Sequence, residues 1–163
     1  MAADPDFSSF PLVAKGHTFE DFTEGQVFEH HWGRTLTEAD NALFTTLALR
    51  FTPIYFNAEY ARAHGHPGVV VDPLLVLCTA VGMSVEDLSE GGGPFLGVEG
   101  VEFERPVYPG DTLTARSHVV SKRDSDSRPS FGIVTWQTEA RNQHGERVLH
   151  YRRTNLVTKR GSR

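Results

Sequence analysis

Cysteine is the scarcest informative residue of this 163-residue sequence, because Cys78 is the one cysteine present. A single cysteine excludes a disulfide within the chain and is typical of a protein that works in a reducing compartment. Cys78 lies in an apolar run, where we expect a packed, unreactive thiol rather than a nucleophile. Disulfide scaffolds and cysteine-pair chemistry are therefore excluded.

Long apolar runs and an excess of positive charge are missing as well. No stretch of about 18 or more apolar residues occurs, so no membrane-spanning helix is predicted. Residues 1–16 carry acids and prolines where a secretory signal needs a basic flank and an apolar stretch. The net charge of -5 gives no general attraction to nucleic acid. We expect a cytoplasmic protein whose partners include neither nucleic acid nor a membrane.

The length and the hydrophobic content of 39% favour one domain with one sizeable core. Residues 1–18 mix proline, serine and aspartate without a sustained period, which indicates a flexible N-terminal extension. The domain is predicted over residues 19–159, and residues 160–163 form a basic, solvated tail. No glycine-rich phosphate loop and no nucleophile elbow is present.

The first half of the domain predicts one strand and two helices. Residues 26–36 alternate like a strand, and Thr37 with an acid three residues later, Asp40, is typical of a helix start. Ala42, Leu43, Thr46 and Leu47 share one face of that helix, and Thr52-Pro53 should stop it. The second helix covers residues 72–83, with Asp72 as N-cap and Pro73 in the first turn. It is apolar on every side, so we expect it to be covered all round.

The second half alternates and turns like an antiparallel sheet. Four strands are predicted, separated by turns rich in glycine, proline and serine; they cover residues 95–107, 112–123, 132–142 and 147–158. Together with the first strand they permit a curved sheet wrapped around the apolar helix. This is an α+β arrangement, the hotdog fold.

Three sequence blocks resemble the MaoC-like acyl-CoA hydratases and dehydratases. The opening FEDFTEGQ begins at Phe19, the strand-to-helix signature TLTEAD begins at Thr35, and the block VEFERPVYPGDTL begins at Val101. Within that family, the segment SRP, which begins at Ser127, followed by GIVT, which begins at Gly132, is similar to the mesaconyl-CoA hydratase branch. The resemblance implies hotdogs that pair as dimers and an acyl-CoA thioester as ligand. It also implies addition or removal of water across a 2,3-double bond, with coenzyme A as part of the substrate and no other cofactor.

The resemblance also locates the expected acid and base, which active relatives carry in the pattern D-x-N-P-x-H. The matching stretch here is RFTPIY, so Arg50 stands in the place of the acid and Tyr55 in that of the histidine. An arginine has no acceptor and stays charged, and a phenol titrates near ~10, so neither is an ordinary base at neutral pH. Two plainer interpretations stay open: Arg50 ends a helix, and Tyr55 is a packed loop aromatic.

Further site residues follow from the resemblance. Backbone N–H groups of Val71 and Asp72, at the start of the apolar helix, are the predicted oxyanion site. The Asp72 side chain is interpreted first as a cap and second as a replacement carboxylate. Arg105 and Arg128 are predicted to bind the phosphates of coenzyme A, because they flank strands that would border a dimer cleft.

Two function classes remain open at this stage. One is a hydratase or dehydratase that uses unconventional residues at positions 50, 55 and 72. The other is a non-catalytic hotdog that binds an acyl thioester or pairs with an active subunit. The predicted assembly is accordingly a homodimer, a higher oligomer or a heterodimer. A thioesterase is a third and weaker interpretation, because no carboxylate is evident on the apolar helix to activate water.

Overall fold

A computed structural model of the chain describes residues 16–162, and its main element is one antiparallel sheet of five strands. The order across the sheet is β1-β3-β4-β5-β2, so β1 and β2 are the edges. The strands are β1 (Val27–Thr35), β2 (Phe95–Phe103), β3 (Thr112–Asp124), β4 (Phe131–Arg141) and β5 (Arg147–Thr158). All five lie where the alternation predicted them, with ends shifted by at most a few residues, and the α+β hotdog architecture is confirmed.

Strict alternation along the central strands creates one buried and one open face of the sheet. In β4, Val134, Trp136, Thr138 and Ala140 are buried, while the residues between them are partly exposed. Successive side chains of a strand point to opposite faces, so one run of sequence builds both the core and the outer surface. The outer face carries charged side chains.

The helix that lies on the buried face is α3, Pro73–Met83. Asp72 is its N-cap, as predicted, and accepts a hydrogen bond from the Leu74 N–H at 2.8 Å. Val76 and Ala80, one turn apart, are buried against the sheet.

The prediction that this helix is covered all round is wrong within the chain. Leu74, Cys78 and Gly82 form an exposed stripe on the side opposite the sheet. Cys78 is consequently exposed rather than packed. The five strands reach only one side of the helix, and an apolar surface is left without cover from this chain.

The first helix, α1, covers Glu38–Leu47 and begins with the predicted cap at Thr37. Its buried residues are Asn41 and Thr45, whereas Leu43 and Leu47 are 62% and 74% exposed. The apolar face anticipated from the sequence therefore points outward and the polar face inward. The helix ends before Leu49, whose φ of 53° is left-handed, and not at Thr52-Pro53.

Short elements close the remaining space. They comprise α2 (Ala58–Ala63), α4 (Val85–Leu88) and two 3₁₀ turns, Phe19–Asp21 and Pro53–Tyr55. Neither α2 nor α4 was predicted, because six and four residues are too short to show a helical period. No helix among residues 16–162 has the length and apolar character needed to cross a bilayer.

The two ends of the domain meet at the sheet. Most of the predicted N-terminal extension lies outside the described residues. At the C-terminus, Lys159 pairs with Asp124 at 2.6 Å, and Arg160 pairs with Asp21 at 2.5 Å. These two basic residues are therefore held in ion pairs rather than merely solvated.

Candidate functional site

An ion pair between Arg50 and Asp72 forms the centre of the candidate site. Arg50 Nε donates to Asp72 Oδ2 at 2.8 Å, across 22 residues of sequence. The Asp72 side chain is fully buried, whereas that of Arg50 is 36% exposed. The hydrogen bond and the charge of Asp72 raise the pKa of Arg50 above its already high value. Arg50 is thus a permanent cation that is held at the start of α3 and is partly exposed to solvent.

Tyr55 completes the group, because the 3₁₀ turn Pro53–Tyr55 brings it beside Arg50. The guanidinium carbon lies 5.8 Å from the centre of the Tyr55 ring, within the range of a cation–π contact. The structure therefore brings together Arg50, Tyr55 and Asp72, the three predicted positions. Arg50 lies beyond the end of α1, and its partner is Asp72 rather than the carbonyls of a helix C-terminus.

Asn41 is the residue of this site that the sequence interpretation missed. It is 1% exposed, and its Nδ2 donates to the carbonyls of Tyr55 at 2.7 Å and Val70 at 3.0 Å. Its Oδ1 accepts the N–H of Asp72 at 2.8 Å. One amide thus ties the Tyr55 turn to the start of α3. A polar residue on the side of α1 opposite its leucines was the available signal.

The predicted oxyanion donors are already engaged within the chain. The Val71 N–H donates to the Val107 carbonyl at 2.8 Å, and the Asp72 N–H goes to Asn41. Further into the helix, Leu74 N–H donates to the Asp72 side chain, and Leu75 and Val76 N–H donate to the Asp72 carbonyl. Because Pro73 has no N–H, the start of α3 has no uncommitted donor. The geometry therefore argues against an oxyanion site at Val71 and Asp72.

The Asp72 carboxylate is committed in the same way. One oxygen caps α3 and the other holds Arg50, so the interpretation as a cap is confirmed and both oxygens are occupied. A general base needs an accessible acceptor with room for a proton. In this arrangement the group offers a cation and a phenol, which bind and orient an anion more readily than they remove a proton.

One cleft borders the group at Arg50, and a second cleft runs along α3. The smaller one, of about 320 Å³, is lined by Ala42, Thr45, Thr46, Arg50, Phe51 and Phe56. The larger one, of about 570 Å³, runs beside α3 and includes Trp32, Leu36, Leu75, Thr79 and Met83 in its walls. Both have mostly apolar walls and volumes within the range of small-molecule sites.

Arg105 and Arg128 are not brought together. Arg105 follows β2 near the start of β5 and lies 3.5 Å from Glu146. Arg128 lies in the turn between β3 and β4, beside the opposite end of β5. The twelve residues of β5, at about 3.3 Å each, separate these ends by more than about 35 Å along the strand. The two arginines of one chain therefore cannot hold the same phosphate group.

Three of the histidines form hydrogen bonds within the fold, to a backbone carbonyl or to polar side chains. His64 Nδ1 lies 2.7 Å from the Tyr60 carbonyl, and His66 Nδ1 lies 2.9 Å from the Tyr108 hydroxyl. His30 is buried on β1, with Nδ1 at 2.6 Å from Asp87 and Nε2 at 2.7 Å from the Ser117 hydroxyl. This polar chain links α4 to the neighbouring strands β1 and β3 and was not anticipated from the sequence.

Comparison with known proteins adds the family. The sequence model described as mesaconyl-CoA hydratase matches residues 11–163. A mesaconyl-CoA hydratase of Haloarcula hispanica is 42% identical over 147 residues, which are 90% of this chain and 41% of that protein. The chain thus spans less than half the length of this curated relative.

Solved structures agree with this result. A MaoC domain protein dehydratase from Chloroflexus aurantiacus superimposes with a TM-score of 0.85 at 36% identity, covering 90% of this chain and 42% of that one. Rv0216 of Mycobacterium tuberculosis, described as a double hotdog, has a TM-score of 0.83 at 25% identity and covers 90% and 45% of the two chains. By the family match along nearly its whole length and by its fold, the chain belongs to the mesaconyl-CoA hydratase family of MaoC-like hotdog proteins.

Proposed function

We propose that this chain is an acyl-CoA-binding hotdog of the hydratase and dehydratase type, acting on or holding a 2,3-enoyl-CoA or its hydrated form. The observation that carries the proposal is the family match over residues 11–163. The cluster of Arg50, Tyr55 and Asp72 at the start of α3, beside an apolar cleft, supplies a place for the acyl group.

Catalysis by this chain alone is expected to be weak or atypical. Hydration requires a group that takes a proton from water and a group that returns one to carbon 2. Arg50 cannot accept a proton, and both oxygens of Asp72 are engaged, one in capping α3 and the other in binding Arg50. Tyr55 is left as a proton or hydrogen-bond donor. The absence of a general base typically costs roughly 100- to 10,000-fold in rate.

A second candidate is a non-catalytic subunit that pairs with an active hotdog. The exposed apolar stripe on α3 and the exposed residues Phe95 and Leu96 of edge strand β2 each support the presence of a partner. The length comparison also supports it, since this chain corresponds to about 41% of the Haloarcula protein. In either case we propose that α3 packs beside the helix of a second hotdog, from another copy or from an active subunit.

The test compares turnover with binding. The purified protein is assayed for hydration of crotonyl-CoA by loss of enoyl absorbance, and for binding of butyryl-CoA by calorimetry. We expect butyryl-CoA binding with hydration far below that of an active relative. Rapid hydration would contradict the proposed impairment, and absence of binding would contradict the proposed ligand.

A restored variant tests the assignment of positions 50 and 55. Arg50→Asp alone would place a second carboxylate against buried Asp72, so Arg50→Asp and Tyr55→His are combined with Asp72→Asn, which preserves an N-cap. The control is Asp72→Asn alone. A gain of hydration in the folded triple variant supports a degenerate hydratase site. No gain in a triple variant that melts like the control would contradict the assignment.

A further inference from the structure

Arg153 is a buried cation outside the group at the start of α3. It lies on the buried face of β5 and is 1% exposed. Its Nη2 lies 3.5 Å from the hydroxyl of Ser89, just beyond α4, which is long for a hydrogen bond. Burial lowers the pKa of Arg153, but a guanidinium starts from so high a value that it keeps its proton at neutral pH. The core therefore contains a full positive charge.

Within residues 16–162, no carboxylate acts on this charge. Tyr151 is the one ionisable group of that range that influences Arg153. The two acids of the adjacent helix α4 are engaged by histidines of β1: Asp87 lies 2.6 Å from His30 and Glu86 lies 3.3 Å from His31. A buried charge is costly unless a counter-charge lies beside it. The surroundings of Arg153 therefore favour an anion.

Neither of the two aromatic neighbours of Arg153 supplies the missing negative charge. Burial raises the pKa of Tyr151, so its phenol is neutral at pH 7. The ring of Trp136 lies 5.4 Å from the guanidinium carbon and attracts a cation through its face, but it has no net charge. Both contacts orient the guanidinium without neutralising it.

Unpaired hydrogen-bond donors lie around the same charge. Four buried side-chain atoms of the described part of the chain have no hydrogen-bond partner: Arg153 Nε, Trp136 Nε1, the Tyr151 hydroxyl and Asn155 Oδ1. Trp136 lies directly opposite Arg153 in the register of β4 and β5, and Tyr151 and Asn155 are the nearest residues on the same face of β5. Three of the four atoms can donate a hydrogen. A negatively charged acceptor would satisfy these donors and the cation together.

We propose that Arg153 is the centre of a binding site for a small inorganic monoanion of the size of chloride or bromide. One negative charge neutralises one guanidinium, and a monatomic ion accepts hydrogen bonds from several directions at once. Water would satisfy the donors but would leave the charge unbalanced. A larger anion would have to displace packed side chains, since Trp136 and Tyr151 are both 0% exposed.

The segment that follows α4, residues 89–93, lies against β5 beside this site. Ser89 is the residue nearest to the Arg153 guanidinium, and Gly93 packs directly on the Leu156 carbonyl, where a Cβ would clash. Residues 91–93 are three consecutive glycines and offer no side chains as a cover. A local opening of this backbone is therefore enough to admit an ion. A bound anion would stabilise the fold, because it binds the folded chain and not the unfolded one.

The experiment measures thermal melting of the full-length protein at constant ionic strength, with sodium gluconate replaced stepwise by sodium bromide. Gluconate is too large for the site. We expect the melting temperature to rise with bromide and then to saturate, by about 3–6 °C at ten times the dissociation constant. General salt effects favour strongly excluded anions and do not saturate in this way. A melting temperature that stays constant or falls as bromide replaces gluconate would overturn the proposal.

Two matched substitutions at adjacent positions of β5 assign the effect. Arg153→Met removes the buried charge and keeps a long side chain, so it should abolish the dependence on bromide. Arg152→Met removes one charge from the exposed neighbour, whose Nε lies 3.2 Å from Gln137 Oε1, and should keep the dependence. Dependence that persists in folded Arg153→Met, or that is lost in Arg152→Met, would contradict the site.

A crystal of the native protein grown in sodium bromide gives a test that needs no variant, and it decides the matter if Arg153→Met does not fold. Anomalous scattering at the bromine absorption edge should show bromide within hydrogen-bond reach of the Arg153 nitrogens. Bromide at exposed cations alone would mean an adventitious ion only. Density beside Arg153 without an anomalous signal would identify water. Either of these last two results overturns the proposal.

Discussion

At the scale of single residues, the site depends on contacts between positions far apart in the sequence. The sequence predicted Asp72 as a cap, because aspartate before proline at a helix start is a local pattern. It could not predict that the same carboxylate holds Arg50, since that contact requires the loop after α1 to fold back onto α3. Asn41 was missed for the same reason: all three of its amide contacts are tertiary.

Replacement of Asn41 tests this residue-scale interpretation. Asn41→Ala removes two donors and one acceptor from a buried position and leaves two carbonyls and one N–H unpaired. We expect a loss of about 3 kcal/mol in the free energy of unfolding, measured in urea, because each unsatisfied buried group costs about 1–3 kcal/mol with partial relaxation. The matched control is Asn57→Ala, which removes the exposed cap of α2 and should cost about 1 kcal/mol. Similar losses in both would contradict the role of Asn41 as the tie between α1 and α3.

At the scale of elements, periodicity predicted where strands and longer helices lie but not which side of a helix is covered. The leucine face of α1 and the Leu74 stripe of α3 are both exposed in this chain. Sequence periodicity records which side is apolar, whereas burial depends on what lies opposite. The strands were easier to predict because both faces of the sheet follow from one alternating pattern.

The start of α1 supplies an element-scale prediction about acid. Hydrogen bonds from the Thr37 hydroxyl and N–H hold the pKa of Asp40 below its usual value. A carboxyl group whose pKa is lowered by folding stabilises the folded protein at pH values above its pKa in the unfolded chain, about 3.9. This stabilisation is lost as the pH falls through the pKa of the folded protein. We expect the melting temperature of the native protein to fall as the pH is lowered below the unfolded pKa of aspartate. In Asp40→Asn this fall should be smaller. Glu38→Gln, in the same turn, should keep the native pH dependence. An unchanged fall in Asp40→Asn would refute this assignment.

At the scale of the whole molecule, two apolar features are left open: the uncovered side of α3 and the edge strand β2. Their exposed apolar residues include Leu74 on the helix and Phe95, Leu96 and Phe103 on the strand. An edge strand with unpaired backbone groups and an apolar helix stripe are features that proteins usually cover. The sequence interpretation assumed that the sheet alone would cover the helix, and this assumption failed because five strands bend over only one side.

A substitution on the stripe tests the proposed pairing. Leu74→Asp places a charge where the second hotdog should pack, and burial of an unpaired charge is costly, so we expect light scattering to show a shift from dimer to monomer. Val120→Asp, on the outer face of the sheet, should remain dimeric. Cys78 gives an independent readout: a thiol reagent should label it slowly in the native dimer and rapidly in Leu74→Asp. A native protein that is monomeric at micromolar concentration, with rapidly labelled Cys78, would contradict the pairing.

The shared use of Asp72 has a consequence for how this protein can evolve. The carboxylate that begins α3 also anchors Arg50, so a change at position 72 alters the helix and the cation together. A mutation of Arg50 alone leaves the Asp72 carboxylate buried without its cation, and a mutation of Asp72 alone leaves Arg50 without its anchor. A viable change at one of these positions therefore requires a coordinated change at the other, and positions 50 and 72 should covary among descendants of this chain.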